Sequence, residues 1–442
     1  MDQMNNRSKR LTKNVVASFL LKGWSAVVVF LSVPITLKCL GEYNNGVWLT
    51  ISSMLLWIDN FDIGLGNGMR NKLSIYLAQD DIKGARSLIS STFAMLTTII
   101  IPVLLFIIGL IFFCDTYSFL NVNPNQITDL NTILITTVLL VCITFIFKLT
   151  GNFYMGLQLP AISNLLVACG QTLSLIGTYV VYMLGSHSLM HIALINTGAT
   201  LIVYLLAFPI TFGVFYPELR PSPKLATLQE AKTVANTGLQ FFVLQIASLI
   251  LFATSNILIS KIFTPAMVTP YQITYRYFSI FMVIFTVICM PFWNATTDAY
   301  VRGDYQWIRN ASQKMKMIII AIFIGMVVMT VVSEPIYKIW VGQDIHIDPL
   351  MTVLMATYIF TLIYSMRYSY FINGIGTLRL QMIFTTGAAI IFIPLAFLVA
   401  TWTNSILWFM VVLCVVNIPG AIVNKIQFHK LIYGTPTGIW IK

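Results

Sequence analysis

Residues 89–113 read ISSTFAMLTTIIIPVLLFIIGLIFF, and this stretch decides the fold class. Its 25 residues include no charged side chain. As an α-helix it would extend about 37 Å at roughly 1.5 Å per residue, enough to cross a hydrocarbon core about 30 Å thick. A transmembrane strand would instead alternate polar and apolar residues. The stretch therefore predicts a membrane-spanning helix.

Similar apolar runs recur along the whole 442-residue chain. Hydrophobic residues make up 58% of it and charged residues only 9%, against about 25% charged in soluble domains. This composition excludes a soluble enzyme, a disordered chain and a disulfide-stapled secreted domain. The sequence predicts an all-α polytopic membrane protein with twelve transmembrane helices, at residues 14–37, 45–65, 89–113, 132–157, 161–184, 190–213, 237–260, 269–292, 316–334, 350–372, 381–401 and 405–424.

The basic residues predict the orientation of these spans. With the N-terminus in the cytoplasm, 19 of the 26 Lys and Arg residues fall in cytoplasmic segments, three in outer loops and four inside spans. An excess of Lys and Arg marks the cytoplasmic loops of membrane proteins. Because the number of spans is even, both termini are predicted to be cytoplasmic.

The chain also contains an internal repeat. A shift of 223 residues aligns Asp81 with Asp304 and Arg86 with Arg309, and a slightly smaller shift aligns Gly156 with Gly374. The repeat predicts two pseudo-symmetric six-helix lobes, residues 1–213 and 237–442, joined by a proline-containing cytoplasmic loop over 214–236. Parallel repeats of this kind are typical of transporters that work by alternating access.

Four basic residues lie inside the predicted spans, namely Lys22, Lys148, Arg276 and Arg367. A charge facing lipid at mid-helix costs at least about 2.5–3.5 kcal/mol, so such residues usually face a cavity. Two interpretations remain open for each of them. Either the long side chain reaches the membrane surface, or all four line a cationic vestibule between the lobes that receives an anionic headgroup through Arg and Lys donors.

The acidic candidates are Asp59 and Asp62, near the inner end of the second span. Three residues apart, they share one helix face. Either they are solvated or paired at the interface, or one of them titrates or binds the cation that drives transport. The six cysteines are isolated and show no metal-ligand spacing, so neither a disulfide nor a metal site is predicted. No cofactor is predicted either.

Three motifs resemble those of a known family. They are GEYNNGVW at 41–48, DIGLGNGMRN at 62–71 and ARSLISS at 85–91. Together they are similar to the polysaccharide-transport family, the Wzx-type O-antigen flippases of the multidrug/oligosaccharidyl-lipid/polysaccharide (MOP) superfamily. The residue match is strongest over 1–113, and the span count and duplicated lobes extend the likeness to the whole chain.

The resemblance implies a MATE-like, V-shaped pair of lobes in the bacterial inner membrane. It implies flipping of undecaprenyl-pyrophosphate-linked oligosaccharide, an O-antigen or capsule repeat unit, coupled to a proton or sodium gradient. Lys22 and Arg276 would be the foremost lumen cations for the pyrophosphate. The expected partners are the lipid-linked substrate, membrane lipids and the polysaccharide polymerase machinery, with no nucleic acid. Compared with fourteen-helix lipid II flippases the chain lacks two C-terminal helices, which argues against a peptidoglycan role.

The sequence fits two other functions less well. A cation-coupled antiporter of small cationic compounds would be expected to carry buried carboxylates, whereas the charges inside these spans are basic. A membrane glycan polymerase would be expected to have a large outer loop with catalytic residues. The longest predicted outer loop, 114–131, carries only Asp115 and Asp129 as acidic residues. The sequence therefore favours a non-enzymatic flippase.

Overall fold

The computed structural model describes the backbone of residues 2–59, 65–434 and 437–441; side chains are described there except at 2–15, 59, 67, 71, 78, 235–249, 251–252, 290–291, 294, 298 and 301. Throughout these ranges the regular structure is helical and contains no strand. The α-helices are α1 (Asp2–Asp59), α2 (Leu65–Ala78), α3 (Ile82–Phe113), α4 (Thr116–Leu120), α5 (Leu130–Gly156), α6 (Pro160–Met183), α7 (Leu189–Pro209), α8 (Leu228–Ile262), α9 (Pro265–Val301), α10 (Tyr305–Val331), α11 (Ser333–Val341), α12 (Pro349–Ile375), α13 (Arg379–Thr403) and α14 (Ile406–Tyr433).

Within the described part of the chain, ten helices are long and apolar enough to cross a membrane. The predicted all-helical, multi-pass class is therefore confirmed. One of the ten, Val16–Ile58, runs through the position where the sequence predicts a turn between two spans. It bends there at Gly41, whose φ of 72° is a conformation that glycine adopts without steric cost.

The chain forms two compact units, Met1–Leu249 and Ile250–Lys442, here called unit 1 and unit 2. In unit 1, α1 packs along α6, α7 packs on both α5 and α6, and α2 lies against α3 and α5. In unit 2, α12 packs against α9, α10 and α14, and α13 packs on α14. Each unit thus buries its own apolar helix faces.

The predicted loop over 214–236 is attached to unit 1 by hydrogen bonds at the start of α3. Its two short 3₁₀ turns, Pro217–Leu219 and Pro223–Leu225, each begin at a proline, whose fixed φ suits a first helical position. The bonds to α3 run from Arg86 Nε to Arg220 O (2.9 Å), from Ser87 Oγ to Leu225 O (3.0 Å), from Ser222 N to Ser90 Oγ (3.0 Å) and from Thr227 N to Ser91 Oγ (2.8 Å).

Helix α2 holds the other end of this segment. The Tyr76 hydroxyl donates to Glu230 Oε1 at 2.6 Å. A Cβ at Gly68 would lie 2.5 Å from Val234 O, so only a glycine allows α2 to approach so closely. The segment is therefore an ordered part of unit 1.

Replacing Ser87, Ser90 and Ser91 together by alanine should expose this segment to trypsin. Each lost hydrogen bond removes about 0.5–1.5 kcal/mol, so local opening should rise and cleavage after Lys224 should accelerate at least about tenfold. Timed proteolysis of the purified protein in detergent measures this rate. The matched control is Thr97→Ala/Thr98→Ala, because those hydroxyls bond only carbonyls of their own helix. Equal cleavage rates in the two variants would contradict the attachment.

The aligned residues of the sequence repeat have equivalent positions in the two units. Asp81 caps α3 by accepting from Gly84 N at 2.8 Å, and Asp304 caps α10 by accepting from Trp307 N at 2.9 Å. Five residues after each cap, an arginine donates to a backbone carbonyl far along the chain in the same unit. Arg86 bonds Arg220 O beyond α7, and Arg309 Nη2 bonds Ile432 O in α14 at 3.0 Å.

The aligned glycines also make matching contacts. A Cβ at Gly156 would lie 2.8 Å from Leu73 Cδ2 and 3.3 Å from Arg70 O. A Cβ at Gly374 would lie 2.8 Å from Trp293 O and 2.9 Å from Thr296 Cβ. The 223-residue shift carries residue 70 to 293 and residue 73 to 296. The same helix contact therefore occurs once in each unit.

Candidate functional site

Arg276 is partly buried near the middle of the candidate span Pro265–Cys289. The polar side chains just before it are engaged: Gln272 Nε2 donates to Asn256 Oδ1 at 2.7 Å, and Thr274 Oγ1 donates to Tyr271 O at 2.8 Å. Among the described residues, the structure records no carboxylate and no hydrogen-bond acceptor for the Arg276 guanidinium. An arginine at this depth with no partner among the described residues is suited to binding an anion.

Lys22 is partly buried on α1, on a helix held firmly against α6. One turn before it, Ser18 Oγ accepts from Asn164 Nδ2, and two residues after it Trp24 Nε1 donates to Thr172 Oγ1 at 2.9 Å. These bonds fix the rotation of α1 on α6. The described residues provide no recorded partner for the Lys22 ammonium. Lys22 therefore has a fixed position, and no described side chain is recorded as pairing with its charge.

Arg367 differs from these two residues. It is 8% exposed and donates through Nη2 to Ser312 O at 2.8 Å and to Ser312 Oγ at 3.3 Å, which ties α12 to α10. Its guanidinium carbon also lies 4.9 Å from the centre of the Tyr368 ring. These contacts give Arg367 a packing role within unit 2.

Lys148 is partly buried on α5, eight residues before that helix ends at Gly156. Lys22 and Lys148 belong to unit 1, and Arg276 and Arg367 to unit 2. A common anion site formed by these cations stays a prediction.

The carboxylates lie elsewhere. Asp62 and the side chain of Asp59 fall outside the described residues, so their proposed part in ion coupling stays a prediction. The carboxylates that are described lie at helix ends, in connections or beside the Gly41 bend. Those that cap helices are Asp81, Asp115, Asp304 and Asp348. Lys22 and Arg276 thus have no recorded ion pair with a described carboxylate.

Two residues of types that often occur in binding sites, a tyrosine and a histidine, are engaged in hydrogen bonds. The hydrogen bond to the Glu230 carboxylate raises the pKa of Tyr76 to about 12, so the phenol remains a donor at neutral pH. His187 Nδ1 lies 2.7 Å from Cys39 O and joins α1 to the α6–α7 connection. Among the described residues, no three His, Cys, Asp or Glu side chains are grouped closely enough to hold a metal ion.

Sequence reasoning missed the serines that attach the 214–236 segment. Their signal was present, because residues 87, 90 and 91 follow helical spacing and share one face. This shared face did not by itself predict an attachment, because serine is also common where helices simply pack closely in membranes.

The chain is similar to two O-antigen transporters from Salmonella. It is 22% identical over 384 residues to a provisionally assigned O-antigen transporter of Salmonella typhi, a match that covers 85% of this chain and 86% of that protein. The provisionally assigned O-antigen transporter of Salmonella typhimurium is 22% identical over 395 residues, with the same coverage. No protein-family model matches the chain.

The fold is similar to that of MATE transporters. An inward-facing multidrug resistance MATE family transporter of the MOP superfamily matches with a TM-score of 0.71 at 14% identity, covering 95% of this chain and 96% of that one. A MOP superfamily transporter from Pyrococcus furiosus, described as having a binding pocket of reversed polarity, matches with a TM-score of 0.62 at 13% identity, covering 96% and 95%. The predicted resemblance to O-antigen transporters is confirmed as a similarity over 85% of the chain, and the described helices have the fold of MATE transporters.

Proposed function

We propose that the protein is a flippase that carries undecaprenyl-pyrophosphate-linked oligosaccharide, an O-antigen or capsule repeat unit, across the bacterial inner membrane. The observation that carries this proposal is the similarity to the two Salmonella O-antigen transporters over 85% of the chain. The proposal includes twelve spans with both termini in the cytoplasm. On this topology α1 contributes one span on each side of Gly41, and α8 adds one to the other apolar helices.

The charges inside the spans support an anionic substrate. Lys22 and Arg276 have no described carboxylate partner, and an unpaired cation within a membrane is costly unless it serves a ligand or a water-filled cavity. Arginine offers a rigid fork of donors that matches phosphate oxygens, and lysine offers a mobile point charge. A pyrophosphate presents oxygens for both kinds of donor.

The proposed cycle involves no covalent chemistry. The pyrophosphate is bound from the cytoplasmic side by Lys22 and Arg276. The protein then changes conformation so that the binding site opens to the outer side, where the headgroup is released. The hydrocarbon tail remains in an apolar environment throughout. A proton or sodium ion drives the change, with Asp59 or Asp62 as the carboxylate that binds it. The polysaccharide polymerase machinery then receives the exported repeat unit.

One observation favours a second function. Two of the matching structures are multidrug resistance MATE transporters, so the same fold also suits an antiporter of small cationic compounds. Charge distinguishes the two functions. Lys22 and Arg276 would repel a cationic substrate, whereas they attract a pyrophosphate.

Deleting the gene tests the proposal directly. The deletion strain should lose most of its surface polysaccharide, and lipid-linked repeat units should accumulate on the inner leaflet, because their headgroups have no other route across the membrane. The measurement is surface polysaccharide by immunoblot, together with extracted lipid-linked repeats by mass spectrometry.

The control strain carries the wild-type gene on a plasmid and should restore both quantities. Unchanged surface polysaccharide with no accumulated repeats in the deletion strain would overturn the flippase proposal. In that case, increased sensitivity of the same strain to cationic dyes would support the antiporter.

A further inference from the structure

Unit 2 contains an open groove of about 300 Å³ between α10 and α12. It is lined by residues of 323–331 on α10 and of 353–360 on α12. The α10 part extends about 12 Å along the helix axis at roughly 1.5 Å per residue. Since both helices are long and apolar enough to cross the membrane, the groove is elongated in the direction in which lipid chains run.

The walls of the groove present hydrocarbon. Seven of its nine lining residues are hydrophobic, and the other two are Thr330 and Thr357. Thr330 Oγ1 donates to Met326 O at 2.8 Å and Thr357 Oγ1 donates to Val353 O at 2.9 Å. Both hydroxyl hydrogens are therefore used within their own helices, and the nine lining residues offer no free O–H donor. An apolar chain fits this lining better than a sugar or a phosphate.

The shape of the groove follows from side-chain size. Ala356 contributes a single methyl group between larger neighbours, and Met326, only 3% exposed, lies at the base. The rings of Phe323 and Phe360 lie at one end with their centroids 5.1 Å apart. Phe323 is 50% exposed, so the groove is open at the surface of unit 2.

The groove lies at the same level of unit 2 as Arg276. Tyr277, the residue after Arg276, donates through its hydroxyl to Met329 O at 2.9 Å. Met329 is the residue before Thr330, which lines the groove. A hydrocarbon site and a cation without a described carboxylate partner thus occur at matching heights in one unit.

We propose that this groove binds the polyprenyl tail of the lipid-linked substrate. The inference rests on the proposed flippase function and adds where the tail is held. A resident phospholipid keeps its phosphate at the membrane surface, so its chain gives no reason for a cation at the height of the groove. The pyrophosphate of a transported lipid must pass the depth of Arg276. A tail held in the groove would keep the pyrophosphate level with this residue.

Photo-crosslinking tests this assignment. The full-length protein is reconstituted in vesicles of phosphatidylethanolamine and phosphatidylglycerol with a small fraction of undecaprenyl diphosphate. A benzophenone amino acid replaces Thr357 in the groove, or Ile390 on α13 as control, because Ile390 is 66% exposed and does not line the groove. Mass spectrometry then identifies the lipid attached to each position after irradiation.

Thr357 should capture undecaprenyl diphosphate at least about tenfold more than Ile390, relative to phospholipid. Undecaprenol, which lacks the diphosphate, should compete for the Thr357 position, because the contact is with the tail. A second probe at Val327, 47% exposed, covers the case in which the Thr357 variant does not fold. The same phospholipid profile at groove and control positions would overturn the inference, whatever the deletion strain shows. Selective capture together with normal polysaccharide in that strain would support the groove and overturn the flippase proposal.

Discussion

Arg276→Ala should lower surface polysaccharide at least about tenfold while leaving the amount of folded protein unchanged. Hydrogen bonds to a charged group contribute about 1.5–3 kcal/mol, and a loss of about 1.4 kcal/mol is tenfold in binding. The guanidinium bonds no described group of the protein, so its removal leaves no orphaned acceptor. Arg276→Lys should retain part of the transport, since the charge remains but the fork of donors is lost. The measurement is surface polysaccharide normalised to protein in the membrane.

Arg367→Ala is the matched comparison, because it removes the same side chain from the same unit. Arg367 is buried and bonded to Ser312, so its loss should leave the Ser312 carbonyl without its charged donor and reduce stability by about 1.5–3 kcal/mol. Detergent-solubilised Arg367→Ala should therefore melt at a lower temperature than the wild type and than Arg276→Ala. Normal stability combined with lost transport would instead make Arg367 a substrate-binding residue. Full transport by Arg276→Ala would remove Arg276 from the proposed site.

The contrast between these two arginines shows where sequence reasoning ends. Both were predicted as lumen cations because each lies within a long apolar run, and that observation depends only on neighbouring residues. Their difference depends on a carbonyl 55 residues away, since Arg367 meets Ser312 on another helix. Apolar length and charge position predict that a cation is in the membrane. They do not indicate which tertiary contacts it makes.

The 214–236 segment shows the same limit for domain boundaries. Its prolines and its position between two sets of spans are typical of a linker, and a cytoplasmic loop was predicted there. In the structure, side chains of α3 bond its backbone and Tyr76 of α2 bonds the Glu230 carboxylate, and unit 1 continues to Leu249. Bonds of this kind join residues more than 130 positions apart, beyond what local composition can indicate.

The repeat was the most informative long-range signal in the sequence. The alignment of residue 81 with 304 needed no structural knowledge, and both aspartates cap a helix by the same contact three residues on. An N-cap is a local structure that short side chains specify, so it is retained in both copies and is visible in the sequence. The alignment of Gly156 with Gly374 is equally visible, but the reason for the glycine is not.

The structure supplies that reason and with it a strong prediction: Gly374→Ala should destabilise the protein by about 1–3 kcal/mol. A Cβ there would lie 2.8 Å from Trp293 O, a backbone atom that cannot rotate away, and 2.9 Å from Thr296 Cβ. Relief requires α12 to move away from α9, against which it packs over much of its length. The measurement is the melting temperature of purified protein in detergent, together with the amount of folded protein in the membrane.

Two other glycines make this prediction a graded one. Gly156→Ala should cost less, because the nearest atom is the end of the flexible Leu73 side chain and Arg70 O lies farther away, at 3.3 Å. Gly387→Ala, on α13 with no atom within 4 Å, should be neutral or stabilising by up to about 1 kcal/mol, since alanine favours helix. The expected order of stability is Gly387→Ala, then Gly156→Ala, then Gly374→Ala. Equal melting temperatures for the Gly374 and Gly387 variants would show that α12 can yield at this contact. A larger drop in melting temperature at Gly156 than at Gly374 would mean that the two copies of the repeat do not share one packing constraint.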